Sequence, residues 1–101
     1  MPRVVLDLNN PKFQEHWFAI ERQEALAVYS TLQKIRQLDW NQLYRDKGLR
    51  WELIQSRADP DGRRVFGIRV TKGMRAVCYR DGDILRLLSL HPDHDSAYGV
   101  Q

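Results

Sequence analysis

The residues best suited to chemistry lie in the C-terminal third of the chain. Residues 62–80 carry six cations and no Asp or Glu, namely Arg63, Arg64, Arg69, Lys72, Arg75 and Arg80. A polar tail follows, with His91, Asp93, His94, Asp95 and Tyr98. Imidazoles exchange protons near neutral pH, guanidinium groups hold phosphate, and an aromatic ring stacks on a base. These residue types indicate a surface that handles an RNA strand, and they are also the types that could cut it.

Three interpretations of the tail remain open. Imidazole and carboxylate groups at this spacing could bind a metal, although the only other histidine, His16, lies in the first predicted helix. The tail could be a solvated loop after the last strand. In the third interpretation a histidine is a general base, and Tyr98 lies one helical turn after His94. Tyr98 could equally cover the core. The arginines also have a second interpretation, in which they are simply solvated residues on the outer face of a half-exposed sheet.

The elements that must position these residues follow from hydrophobic spacing. The sequence predicts a strand over residues 3–8, a helix capped by Asn10 with Pro11 at its first position, and a second helix over residues 22–37. Asp39 caps a short third helix. Four short apolar runs then predict an antiparallel meander over residues 51–56, 64–71, 74–80 and 83–90. The predicted fold class is α+β, with a small antiparallel sheet of four to five strands, mixed at its N-terminal strand, and a helical hairpin on one face. Residues 1–101 are predicted to form a single domain.

Loop lengths set the predicted register of the arginines. A three-residue loop over residues 71–73, with Gly73 in the left-handed conformation, pairs Val70 with Met74 and places Arg69 opposite Arg75 on the outer face. Like charges directly opposite each other destabilise a sheet by a few tenths to about 1 kcal/mol. A protein that holds two guanidinium groups side by side is therefore expected to bind an anion between them.

The second hairpin is predicted to add another arginine to this face. A type I′ turn at Asp81-Gly82 would pair Arg80 with Asp83 and Val77 with Arg86. Arg86 would then lie beside Arg69 and Arg75. The single cysteine, Cys78, faces the core in this register, which argues against a nucleophilic role.

Composition restricts the class of protein. The chain is 43% hydrophobic and 29% charged, as in ordinary globular domains. The net charge of +3 favours a polyanionic partner because the cations are concentrated in one segment. One cysteine excludes an intrachain disulfide and fits a reducing compartment. The sequence shows neither an apolar run of membrane-spanning length nor a signal-peptide pattern, so we expect a cytoplasmic protein without a membrane partner.

Three segments, together with the element order, carry a resemblance to a known family. They are residues 48–52 (GLRWE), residues 66–77 (FGIRV, then MRAV) and residues 88–98 (LSLH, then HDSAY). Over nearly the whole chain, the sequence resembles the RelE/ParE superfamily of bacterial toxins. It is most similar to RelE-like mRNA interferases of the YafQ and YoeB types.

The resemblance implies a metal-independent endoribonuclease without a cofactor. Such toxins act on mRNA in the ribosomal A site, where the ribose 2′-OH attacks the adjacent phosphate. Arg75 matches the arginine that stabilises the phosphorane, and Arg69 matches one that contacts phosphate. His94 and Tyr98 match the histidine and aromatic ending of YafQ-type members, whereas His91 matches the strand-end histidine of YoeB-type members. The remaining cations expected to contact substrate are Lys72, Arg80 and Arg86.

The resemblance also implies a partner, a small acidic antitoxin, in a type II toxin–antitoxin system. Two alternatives remain. One is a ParE-like toxin that poisons DNA gyrase without cutting RNA, although members of that type generally lack a paired histidine tail. The other is a non-catalytic relative whose basic face binds RNA or a partner.

Overall fold

The computed structural model describes residues 2–58 and 61–92, apart from the side chains of residues 56 and 57. Along these ranges the elements are β1 (Val5–Asp7), α1 (Pro11–Ala19), α2 (Arg22–Ile35), α3 (Trp40–Arg45), β2 (Glu52–Ala58), β3 (Arg64–Arg69), β4 (Arg75–Asp81) and β5 (Ile84–His91). The strands form one five-stranded sheet in the order β1-β5-β4-β3-β2. β1 runs parallel to β5 and the other pairs are antiparallel. The predicted α+β fold with a mixed sheet is confirmed. No helix in the described ranges is both long and apolar enough to cross a membrane.

Side chains define both ends of the first helix. The Asn10 side chain accepts hydrogen bonds from the backbone N–H groups of Lys12 at 2.8 Å and Phe13 at 3.4 Å, as predicted for the cap of α1. The helix ends without Gly or Pro, because Ile20 adopts an extended conformation. The Trp17 indole then donates to the carbonyl of Ala25 at 3.2 Å. This bond links α1 to α2, so a tryptophan rather than a turn residue fixes the corner of the hairpin.

The helices cover one face of the sheet, and the main core lies between them. Its buried side chains come from all three helices and from the inner face of the strands, and include Phe13, Val28, Leu32, Leu43, Ile68, Ala76, Cys78 and Leu90. The opposite face carries a smaller apolar cluster of Ile54, Val65 and Val77, against which Tyr79 and Leu88 pack. The outer face is therefore apolar in its middle and polar toward its ends.

The predicted pairing of β3 with β4 is confirmed. Ile68 lies opposite Ala76 and Arg69 opposite Arg75, and the backbone N–H of Val70 donates to the carbonyl of Met74 at 3.0 Å. The predicted left-handed conformation of Gly73 is wrong, because the glycines with positive φ in the described part are Gly62 and Gly82. The loop is instead closed by the Thr71 hydroxyl, which accepts from the Met74 N–H at 3.0 Å.

The predicted register of the second hairpin is wrong. The turn residues are Gly82 and Asp83, and Asp81 pairs with Ile84. Gly82 has a φ of 63°, which a primed hairpin turn requires at its first central position. Because the turn lies one residue later than predicted, Arg86 pairs with Tyr79. Tyr79 packs on the outer apolar cluster, so Arg86 still belongs to the outer face.

Replacing the cap of α1 should lower stability. We expect Asn10→Ala to reduce the free energy of unfolding by about 1 kcal/mol, since two backbone N–H groups lose their acceptor. Urea unfolding followed by circular dichroism measures the change. Asn41→Ala is the matched control, because Asn41 is exposed within α3. Equal losses in the two variants would contradict the role of the cap.

Candidate anion-binding site

Three predicted site residues form a row across the sheet. Arg69 on β3 pairs with Arg75 on β4, and Arg75 pairs with His91 on β5. Directly paired residues of an antiparallel sheet share a face. Since Ile68, Ala76 and Leu90 alternate with them and lie in the helix-covered core, this row lies on the face opposite the helices. Two guanidinium groups and an imidazole thus occupy adjacent strands at one level of the sheet.

Arg75 is the most constrained member of the row. The residue is only 8% exposed, and its Nη1 donates to the carbonyls of Thr71 at 3.0 Å, Met74 at 3.2 Å and Lys72 at 3.3 Å. These acceptors are neutral. Buried charges are ordinarily paired with an opposite charge. The β3–β4 loop therefore fixes the guanidinium in place without neutralising it.

His91 is held by its neighbour on the same strand. The Ser89 hydroxyl and the His91 Nε2 lie 2.8 Å apart, and both residues are buried. On its other side, the His91 ring meets His16 of α1 edge to face, with the ring centroids 6.0 Å apart at 78°. Hydrogen bonding and ring contact together restrict the imidazole to one orientation.

Two acids of the outer face, Asp7 and Asp81, lie near the other end of the sheet. Arg86 forms ion pairs with Asp7 and, at 3.1 Å, with Asp81, which also pairs with Arg63 at 3.3 Å. The N–H of Asn9 and the Arg86 guanidinium lower the pKa of Asp7, and the two arginines lower the pKa of Asp81. The bonds to these carboxylates raise the pKa of Arg86.

Within residues 2–58 and 61–92, Arg69 and Arg75 form no ion pair. Among the described residues, the cations found in ion pairs are Lys34, Arg63 and Arg86. The absence of acids from residues 62–80 therefore has a structural consequence only at the Arg69–Arg75 end. There, the residue paired with Arg69 on β4 carries the same sign of charge, and Glu52 of β2 lies opposite Gly67 rather than opposite Arg69. This arrangement favours a bound anion.

Several predicted substrate contacts do not join the row. Arg86 pairs with Tyr79, which lies four residues along β4 from Arg75, about 14 Å away. Arg80 is on the helix side, where its guanidinium lies 4.4 Å above the Trp40 ring and donates to the Tyr44 hydroxyl at 2.8 Å. Lys72 is exposed in the β3–β4 loop next to Arg75. His94 and Tyr98 lie outside the described residues.

Two residues near the row were not predicted from the sequence. Ser89 could have been found, because residues two apart on a strand share a face and Ser89 precedes His91 by two. His16 could not, since nothing in the chain's spacing places α1 beside the end of β5. Its Nδ1 accepts a hydrogen bond from the backbone N–H of Leu90 at 3.0 Å.

The remaining candidates for chemistry are weaker. Cys78 is fully buried, and burial raises the pKa of its thiol, so it is a poor nucleophile, as predicted. Within residues 2–58 and 61–92, no group of three or more His, Cys, Asp or Glu side chains is arranged to hold a metal ion. The arrangement at the row is suited to binding an anion and moving a proton beside it.

The repulsion between Arg69 and Arg75 should have a measurable effect on the free energy of unfolding. We expect Arg69→Gln to raise the free energy of unfolding by a few tenths to about 1 kcal/mol at low ionic strength, because Arg75 loses its repulsive neighbour. The gain should shrink as salt screens the charges. Urea unfolding at two salt concentrations tests this. Arg64→Gln on the same strand is the control, since Arg64 pairs with Ala58. A salt-independent loss of stability in Arg69→Gln would contradict the repulsion.

Comparison with known proteins gives one informative similarity. No protein-family model matches the chain, and no curated protein matches it. Among solved structures, a copper-bound mutant toxin from Helicobacter pylori has a similar fold, with a TM-score of 0.50 and 18% sequence identity. The alignment covers 95% of this chain and 98% of the toxin. At this identity the similarity concerns the fold, which the chain shares with a small bacterial toxin.

Proposed function

We propose that the chain is the toxin component of a type II toxin–antitoxin system and that it cleaves mRNA on the ribosome. The observation that carries this proposal is the row of Arg69, Arg75 and His91, in which a buried guanidinium has only neutral partners within the described residues. The fold shared with a bacterial toxin supports it. The RelE-like sequence segments agree with the same assignment.

The proposed chemistry is an internal transfer at phosphorus. The ribose 2′-oxygen forms a bond to the adjacent phosphorus, and the bond from phosphorus to the 5′-oxygen breaks. A base removes the 2′-OH proton, and an acid gives a proton to the departing 5′-oxygen. The products are a 2′,3′-cyclic phosphate and a 5′-OH. The phosphorane between them carries extra negative charge, so cations fixed in advance lower the barrier.

Arg75 is suited to stabilising the phosphorane. Its Nη1 is occupied by backbone carbonyls, while its Nε and Nη2 make no hydrogen bond within the described residues. A donor already held in position contributes about 3 kcal/mol to transition-state stabilisation. Arg69 on the neighbouring strand would bind the substrate phosphate before the reaction.

His91 is the described residue suited to proton transfer. The Ser89 hydroxyl contacts its ring, and because His91 pairs with Arg75, it would lie beside the proposed phosphate. General acid–base transfer contributes about 10²–10⁴-fold to a rate. By its resemblance to YafQ-type members, His94 competes for this role, with Tyr98 near the scissile nucleotide.

The proposal includes an acidic antitoxin as partner. The Arg69–Arg75 pair has no counter-charge within the described ion pairs, so carboxylates of such a partner would neutralise it and block the phosphate site at once. The site of action would be the cytoplasm, where ribosomes present the message.

The test maps RNA 5′ ends in a purified translation system with the protein added. We expect wild-type cleavage within codons, with 2′,3′-cyclic phosphate and 5′-OH ends. Arg75→Ala should slow cleavage by about 10²–10³-fold. His91→Ala and His94→Ala, compared directly, should show which imidazole transfers the proton. Arg64→Gln, which removes a cation on the same strand away from the row, is the control and should leave the rate unchanged.

Three outcomes would contradict the proposal. If Arg75→Ala and both histidine variants cleave mRNA at the wild-type rate, the row takes no part in the reaction. Intact message with persistent gyrase–DNA breaks in induced cells would favour a ParE-like toxin. Normal growth on induction, with no cleavage, would favour a non-catalytic relative. Thermal melting of each variant separates lost activity from lost folding.

A further inference from the structure

A cavity of about 380 Å³ lies beside the row, at the edge of β5. β1 pairs with Ile84–Arg86, so no strand of the described ranges covers the last residues of β5. Helix α1 packs there instead and forms the opposite wall. The lining includes Lys12, His16, Ile20, Leu90, His91 and Pro92. Its volume falls within the range of small-ligand sites. His91 belongs both to this cavity and to the Arg69–Arg75 row.

His16 brings a hydrogen-bond donor to this cavity. Its Nδ1 accepts from the Leu90 N–H at 3.0 Å, so the neutral ring carries its proton on Nε2. That Nε2–H has no hydrogen-bond partner within the described residues. The contact with Leu90 seals the exposed strand edge, but that task uses only one of the two ring nitrogens. The other nitrogen points to no described partner and could therefore donate to a ligand.

Lys12 adds a positive charge at the same place. It lies four residues before His16, so both side chains project from one side of α1. Lys12 is exposed and forms none of the ion pairs found in the described residues. Among the described residues that line the cavity, none is a carboxylate. A cation and an N–H donor beside an apolar wall of Ile20, Leu90 and Pro92 match a phosphate attached to a ribose and base.

We propose that this cavity binds the nucleotide next to the scissile one, with its phosphate on Lys12 Nζ and His16 Nε2–H. The RNA strand would then cross the sheet from Arg69 and Arg75, pass His91 and continue into the cavity at α1. The His16 and His91 rings lie 6.0 Å apart, close enough to contact adjoining parts of one strand. The identity of the ligand as RNA rests on the proposed function, whereas the anion site does not.

The probe is a 2′-O-methyl uridine trinucleotide, which has two phosphodiesters and no 2′-OH to attack. NMR on the full chain would follow the Leu90 amide and the His16 ring for the cavity, and the Arg69 and Arg75 Nε–H groups for the row. We expect both sets of signals to shift. Replacing one phosphodiester by a neutral methylphosphonate should abolish the cavity shifts, and replacing the other should abolish the row shifts.

Lys12→Ala should weaken binding about tenfold, as for loss of one charged hydrogen bond. The matched control is Lys47→Ala, the same change on the turn after α3, and it should alter the dissociation constant less than twofold. His16→Asn keeps an acceptor for the Leu90 N–H and tests the donor separately. Slow hydrogen exchange at Leu90 would show that the edge remains sealed.

The outcomes separate the two proposals. Row shifts without cavity shifts would overturn this inference and leave the nuclease proposal intact. Cavity shifts without row shifts would uphold the anion site and overturn the nuclease proposal. Equal weakening by Lys12→Ala and Lys47→Ala would show that only overall charge matters, and the cavity would then have no role.

Discussion

The register between β3 and β4 is the constraint on which the candidate site depends. It places Arg69 and Arg75 directly opposite each other, although separating them would cost the sheet less. The register is enforced by the loop, where Thr71 and the Arg75 guanidinium bind the backbone that joins the strands. Arg75 thus stabilises the turn that holds it beside another cation. A shift of β3 by one residue would place Arg69 and Arg75 on opposite faces of the sheet and bring Ile68 out of the core.

The carboxylates Asp7 and Asp81 form ion pairs with Arg86 and not with the Arg69–Arg75 pair. Both ends of the outer face carry arginines, and they differ in what surrounds them. At the β4–β5 turn, Asp7 and Asp81 neutralise Arg86, and such exposed networks contribute modestly to stability. At the other end, Arg75 is buried among neutral carbonyls. In the part of the chain that the structure describes, this cation is fixed and forms no ion pair. Such a charge is costly for the free protein, and binding an anion relieves that cost.

The sequence predicted the fold class and the arginine pair because both follow from local rules. Alternation and loop length determine which side chains share a face, so the pairing of Arg69 with Arg75 could be derived. The register of the second hairpin was predicted wrongly because Asp81-Gly82 and Gly82-Asp83 are both acceptable turns, and only packing decides between them. Arg80 was expected to contact substrate, and its position apart from the row has a related reason. Its association with the Trp40 ring depends on α3, which is remote in sequence.

The role of His16 could not be predicted from the sequence, because His16 acts at the end of β5 that β1 does not reach. An uncovered strand edge presents unpaired backbone groups, which proteins normally cover with another strand, a helix or a charged residue. Here β1 stops at Asp7, and an imidazole from α1 meets the Leu90 N–H instead. A neighbouring strand would have filled the space beside β5. A side chain satisfies the same amide while leaving room for a cavity, and it keeps one ring nitrogen available to a ligand. Because the first strand is short, His91 lies between the basic row on one side and the cavity at α1 on the other.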